Sequence, residues 1–224
     1  SESIKTIRTN LAFSAIGNEM KVLLATSPAA GDGKSFISAN LAVAYAQEGK
    51  KVLMIDCDLR RGRQHEIFEV MNLTSGGYSN LILNYKEDVN LGKYIMKTSN
   101  ANVDLLPTGP TPPNPIELLA SENNQKLLNE LRKLYDIIIL DCPPVIGLSD
   151  TMIMTKFSDA NIIVVSNKKT KIESLDRAKK IFAQANAKIT GVVINKASVK
   201  GSSYYSYYSD EYYRDTDSKK KRKR

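Results

Sequence analysis

Lys34 and Ser35 close the run Ser27-Pro28-Ala29-Ala30-Gly31-Asp32-Gly33-Lys34-Ser35, and a lysine followed by a hydroxyl residue after spaced glycines is a pattern that binds polyphosphate. Gly31 and Gly33 permit backbone angles closed to other residues, so successive N–H groups can turn inward around an anion at the positive end of a helix. The cradle then consists of Ala30, Gly31, Asp32, Gly33, Lys34, Ser35 and Phe36, with Lys34 meeting the β and γ phosphates and the Ser35 hydroxyl offered to Mg2+. Pro28 stands where G-x-x-x-x-G-K-[ST] has its first glycine. Two carboxylate motifs complete the set. Asp56 and Asp58, in Ile55-Asp56-Cys57-Asp58-Leu59-Arg60, are spaced i and i+2 after an apolar run, which turns both toward one cleft. Asp141 ends the apolar run Ile137-Ile138-Ile139-Leu140, where a carboxylate holds Mg2+ directly or through water. Each motif has a plainer reading: a glycine turn that binds nothing, an aspartate that caps a helix, an apolar run that meets an Asp by chance. Their company favours a nucleotide site.

The elements that position these residues follow from periodicity. Val22–Thr26 reads as a strand, and Phe36, Ile37, Leu41, Val43 and Ala44 place a helix directly after the loop. Val52–Ile55, Val103–Leu106, Ile137–Leu140, Asn161–Val165 and Thr190–Asn195 read as further strands. Helices are expected over residues 2–15, through Glu117–Leu119, over Gln125–Leu134 and over Ile172–Ala185. Asn114 is the expected cap and Pro115 the first-turn residue of the helix at 117. Residues 74–100 read as short helices and polar loops. Strands alternating with helices predict an α/β, P-loop NTPase-like domain, a mostly parallel sheet with helices on both faces. It spans residues 1–197, followed by a flexible tail over 198–224.

Composition narrows the function. The 224 residues are 42% hydrophobic, enough for one large soluble core, and neither a membrane-length apolar run nor a signal-peptide pattern is present, so a cytoplasmic location is expected. Cys57 and Cys142 read as buried thiols, and His65 lacks companions for a zinc site. The net charge is +8, but Lys219–Arg224 supply six of those charges, so the body is nearly neutral and no nucleic-acid face is expected. Six of the 11 tyrosines, Tyr204, Tyr205, Tyr207, Tyr208, Tyr212 and Tyr213, crowd into residues 201–213 with no aliphatic partners. Beside Asp210 and Glu211, on a segment expected to be disordered, they read as phosphorylation sites. Glu2, Lys5 and Arg8 recur every three residues on the first helix, either as a solvated face or as an oligomer contact.

Taken together, these pieces resemble the bacterial tyrosine kinases of capsule and exopolysaccharide synthesis, of the cytoplasmic CapB/CpsD type. The resemblance rests on the Glu2-Lys5-Arg8 helix, the Walker A loop from Ser27 to Ser35 and the Walker A′ motif from Ile55 to Arg60. It extends to Walker B from Ile137 to Asp141, the loop Pro112-Pro113-Asn114-Pro115 and the tyrosine cluster. Lys5 replaces the arginine usual in this family, and Ala30 a frequent proline. The resemblance implies autophosphorylation of the tail tyrosines by ATP and Mg2+, in trans within a ring built through Glu2, Lys5 and Arg8. It also implies a catalytic set of Lys34, Asp56, Asp58 and Asp141, in which Asp56 takes the phenolic proton and Ser35, Asp58 and Asp141 hold the metal. The implied partners are a transmembrane polysaccharide co-polymerase that recruits and activates the kinase at the inner face of the membrane, and a tyrosine phosphatase. Two alternatives stand beside it. One is a MinD/ParA-like ATPase switch, although Ala29 occupies the place of that group's second lysine; the other is a non-catalytic module docked on the membrane. The sequence does not reveal the adenine pocket; Asn195 and Lys196, after the last strand, are no more than a guess at it.

Overall fold

The computed structural model describes residues 1–14, 19–71 and 76–197. Seven strands form one sheet: β1 (Val22–Thr26), β2 (Val52–Asp56), β3 (Met96–Lys97), β4 (Val103–Leu106), β5 (Ile137–Asp141), β6 (Ala160–Ser166) and β7 (Gly191–Asn195). Their order is β3-β4-β2-β5-β1-β6-β7. Every pair is parallel except β3 with β4. The helices are α1 (Glu2–Ser14), α2 (Lys34–Ala46), α3 (Gln64–Ile67), α4 (Tyr78–Leu83), α5 (Pro115–Ala120), α6 (Glu122–Leu134), α7 (Asp150–Met154) and α8 (Ile172–Gln184). None of them is long and apolar enough to cross a membrane.

β1, β2 and β5 are buried at every position, as expected of parallel strands covered on both faces. Alternation divides them. Leu23, Ala25, Val52, Met54, Ile137 and Ile139 pack on one side with Leu41 and Ala42 of α2 and with Ile4 and Leu11 of α1. Leu24, Leu53, Ile55, Ile138 and Leu140 face the opposite side with Leu81, Leu119 and Leu131 of α4, α5 and α6. On β6, Ile163 packs under Ala178 and Phe182 of α8. The predicted class and its main elements are therefore present.

Three short elements escape periodicity: the two-residue edge strand β3, the four-residue α3 and the five-residue α7, none long enough to show a repeat. Asn114 stands at the N-cap of α5 and Pro115 opens it, as expected, with the Asn114 carbonyl rather than its side chain accepting the first bond; Ser121 caps α6, accepting from the N–H of Asn124 at 3.2 Å. The first helix ends at Ser14, and the predicted end at residue 15 lies outside the described residues. So does the tail over 198–224, with its six tyrosines.

Candidate active site

The order β2-β5-β1 places the ends of the three motif-bearing strands side by side. Asp56 and Asp141 are register partners, and Asp141 also lies opposite Ala25 of β1. The period of two puts both aspartates on the side of Met54 and Ile139, the face covered by α2. Lys34 is the first residue of α2. The C-terminal end of a parallel sheet, where the order reverses around its central strand, is the place where such folds bind ligands.

Lys34 Nζ lies 3.2 Å from Asp141 Oδ1, 3.6 Å from Asp58 Oδ2 and 3.3 Å from the Ser35 hydroxyl. Burial works to lower its pKa, but the charges of Asp141, Asp58 and Asp56 outweigh it, and the ammonium is held above the ordinary lysine value. Asp56 is wholly buried. It accepts the N–H of Gln64 at 2.8 Å and, more weakly, that of Asp58 at 3.3 Å. Burial first, then the charge of Asp141, push Asp56 well above the usual carboxylate range, against the opposing pull of the Gln64 N–H and Lys34. Asp58, the carboxylate nearer the surface, accepts the N–H of Arg61 at 3.0 Å.

The loop before α2 turns through Gly31 (φ 85°) and Gly33 (φ 94°), both in the left-handed region. A Cβ at Gly33 would stand 2.0 Å from Asn195 Nδ2, so the position has no room for a side chain. The side chains of two predicted cradle residues are used elsewhere, while the expected phosphate contacts are their main-chain N–H groups. The Asp32 carboxylate is buried and committed, accepting from the N–H of Ala29 at 3.1 Å and from the Thr170 hydroxyl at 2.8 Å; it braces the loop, as an acid facing phosphate could not. Phe36 projects its ring into solvent and has only main chain to offer. The adenine candidates also bond to the loop: Asn195 Nδ2 donates to the Asp32 carbonyl at 3.0 Å and Lys196 Nζ to the Gly31 carbonyl at 3.3 Å.

The three charges of α1 separate. Lys5 Nζ pairs with Glu2 at 2.9 Å on the surface, whereas Arg8 reaches inward, donating to the Ala44 carbonyl at 2.9 Å and pairing with Glu48. Arg8 thus fastens α1 to the end of α2 within the chain, because Ile4 and Leu11 seat the helix with that side down.

Residues to which the motifs assign no role complete the site. Gln64, fully buried, opens α3 beneath the phosphate loop and donates to Ser35 and Asp141. Arg60 pairs with the buried Asp150 at the start of α7, joining the loops after β2 and β5. A lone glutamine or aspartate beyond a motif gives no spacing signal.

No group of three or more His, Cys, Asp or Glu side chains among the described residues is arranged to cage a metal. One hydroxyl and two carboxylates, Ser35, Asp58 and Asp141, are nevertheless the donors that suit Mg2+, which keeps water and phosphate oxygens in its shell. Gln64 Oε1 is a buried acceptor without a partner beside them. The residues fit a hydrated cation.

Comparison with known proteins agrees with this geometry. The AAA domain family matches residues 6–192. CapB of Staphylococcus aureus is 40% identical over 212 residues, covering 94% of this chain and 91% of that protein. The tyrosine-protein kinase YwqD of Bacillus subtilis is 36% identical over 208 residues, covering 93% and 86%. The chain belongs to the bacterial tyrosine kinases. The crystal structure of the chimerical protein CapA2B2 superimposes with a TM-score of 0.82 at 37% identity, over 88% of this kinase and 84% of that chain. This kinase thus shares its family and its fold with these relatives.

Proposed function

We propose that this kinase transfers the γ-phosphoryl group of ATP to tyrosines of its own C-terminal cluster, Tyr204, Tyr205, Tyr207, Tyr208, Tyr212 and Tyr213, in trans between subunits. The observation that carries the reading is the convergence of Lys34, Ser35, Asp56, Asp58 and Asp141 at the ends of β1, β2 and β5. Main-chain N–H groups from Ala30 to Ser35 bind the phosphates. Ser35, Asp58 and Asp141 hold Mg2+, which when bound neutralises charge on the transferring oxygens. With the carboxylates engaged in this way, Lys34 turns its ammonium to the β and γ phosphates.

The phenolic oxygen forms its bond to phosphorus as the bond to the ADP oxygen breaks, and the proton passes to Asp56. A loose transition state asks little of a base until late, so positioning dominates. Both aspartates are buried: Asp56 fully, with its carboxyl pushed up by burial and the charge of Asp141, and Asp58 slightly nearer the surface. We assign the proton acceptor to Asp56, reached past Asp58, whose N–H it already holds. Asp56→Asn retaining full tail phosphorylation would overturn that assignment.

The wider reading is a ring of copies joined through Glu2 and Lys5, with Arg8 stiffening the helix that carries them. It includes recruitment to the inner face of the cell membrane by the cytoplasmic end of a transmembrane polysaccharide co-polymerase, and resetting by a tyrosine phosphatase. Cycling of the tail would regulate polymerisation and export of capsule or exopolysaccharide.

The test is intact mass after incubation with ATP and Mg2+, beside Lys34→Met and a variant with all six tail tyrosines changed to Phe. Successive phosphate additions that vanish in both variants are expected. ATP hydrolysis without any addition, even with an activator fragment present, would move the chain to the ATPase-switch reading.

A further inference from the structure

Gln64 touches all three motifs at once. Its main-chain N–H donates to Asp56 Oδ2 at 2.8 Å, and its side-chain Nε2 donates to the Ser35 carbonyl at 3.0 Å and to Asp141 Oδ2 at 2.7 Å. Both neighbours of Nε2 are acceptors only, so the amide has one sensible orientation; the reverse would press oxygen against two oxygens. Both Nε2 hydrogens are then used, and Oε1 remains, buried and without a donor. The residue is 0% exposed. A fully buried side chain of this kind is costly to leave half satisfied, and where one persists a ligand or water is the usual reason.

The bond to Asp141 also divides that carboxylate. Oδ2 is committed to Gln64, while Oδ1 faces Lys34 beside the Ser35 hydroxyl. Without the amide the carboxylate would be free to rotate and give both oxygens to Lys34. With it, one oxygen is fixed at the place where a cation held by Ser35 would need it. The bond to the Ser35 carbonyl sets the first turn of α2 in the same register, so Gln64 ties the loop that carries the phosphates to the strand end that carries the metal carboxylate.

We propose that Gln64 is the positioning residue of the cation site, holding Asp141 Oδ1 and the Ser35 backbone in place and accepting at Oε1 from a water of the cation's shell. This rests on the reading of Lys34, Ser35, Asp58 and Asp141 as an ATP–Mg2+ site. Outer-shell partners of this sort change metal affinity by about 10- to 100-fold when removed, whereas a residue that only packs under the loop would affect nucleotide binding with or without metal.

The experiment is calorimetric titration of the full chain with ADP, once with Mg2+ and once with EDTA, for the parent and for Gln64→Met, which keeps length and volume but has no donor. The expected result is a gain from Mg2+ reduced by about tenfold or more, a loss well beyond any fall in ADP affinity seen in EDTA. Gln64→Asn remains polar but is one methylene short of both acceptors. It should show the same selective loss, and it decides the matter if Gln64→Met does not fold. A full Mg2+ gain in the folded variant, or an equal fall with and without Mg2+, would overturn the role of Gln64. If the parent binds no ADP, or binds it without any gain from Mg2+, the nucleotide–metal reading of the site fails first, and the inference fails with it.

Discussion

Lys34→Met removes a cation seated among three aspartates. Its Nζ stands 3.2 Å from Asp141 and 3.6 Å from Asp58, whose side chains are only 1% and 9% exposed. Removing one partner from a buried charge cluster costs about 3–5 kcal/mol, because the remaining charges are left uncompensated. Lys34 itself is 12% exposed, so the lower end applies, about 3 kcal/mol. For a chain of this size that lowers Tm by about 6–12 °C. The ammonium pKa is raised, so its contribution is fully present below the unfolded lysine value of about 10.4 and is lost only as pH rises through the higher folded value. Lys34 itself therefore adds no pH dependence from about pH 6 to 9, but Asp56, which burial and the charge of Asp141 push up to about 8, makes the deficit grow as that carboxyl ionises on the alkaline side. Urea and thermal unfolding of parent and variant, without nucleotide, measure it. Mg2+ alone should recover part of the deficit in the variant and do little for the parent, where Lys34 competes for the same carboxylates. Equal stability of the two proteins, or a deficit that Mg2+ does not touch, would refute the electrostatic account of the site.

Gly33→Ala should abolish ADP binding in calorimetry while far-UV circular dichroism is retained, because its methyl would meet Asn195 at 2.0 Å on a backbone with φ 94°. Arg8→Ala should cost about 1–3 kcal/mol in urea unfolding through the lost contacts to Ala44 and Glu48, whereas Glu2→Ala and Lys5→Ala should leave unfolding unchanged and alter only the solution mass of the assembly. Burial alone would raise the Asp159 carboxyl, but the Arg132 guanidinium and the N–H groups of Val22 and Lys21 outweigh it and hold it below the usual range. Its contribution is thus present above about pH 4 and lost as pH falls through the lower folded value, so Asp159→Asn should cost about 1 kcal/mol at pH 7 and progressively less in acid. Residues 196–224 carry nine basic and four acidic side chains, and six phosphates would add about −9 to −12; light scattering should find the assembly loosened after full phosphorylation, and an unchanged mass would argue against tail repulsion.

The sequence by itself determined which residues make up the candidate site. Lys34, Ser35, Asp56, Asp58 and Asp141 are legible because phosphate and metal binding demand particular residue types beside glycines or at strand ends, and those constraints act over a few consecutive positions. The strands were legible for a similar local reason: a strand buried on both faces must be an unbroken apolar run, as in Val22–Ala25 and Ile137–Leu140. Elements of two to five residues, β3, α3 and α7, are too short to repeat the period that would announce them.

Only the tertiary structure decided how the remaining polar residues are used. The carboxylate of Asp32 finds its partner only in the fold, where Thr170, far along the chain, donates to it. Arg8 shares a spacing with Glu2 and Lys5, but the seating of α1 by Ile4 and Leu11 turns it toward α2. Gln64 belongs to no motif, and its place under Ser35 and Asp141 exists because the order β2-β5-β1 sets the Asp56 and Asp141 ends side by side. Residue type and local spacing specify what a side chain can do; its partner comes from strand order and packing, which bring together positions separated by 77 residues in the case of Gln64 and Asp141 and which no local window of sequence contains.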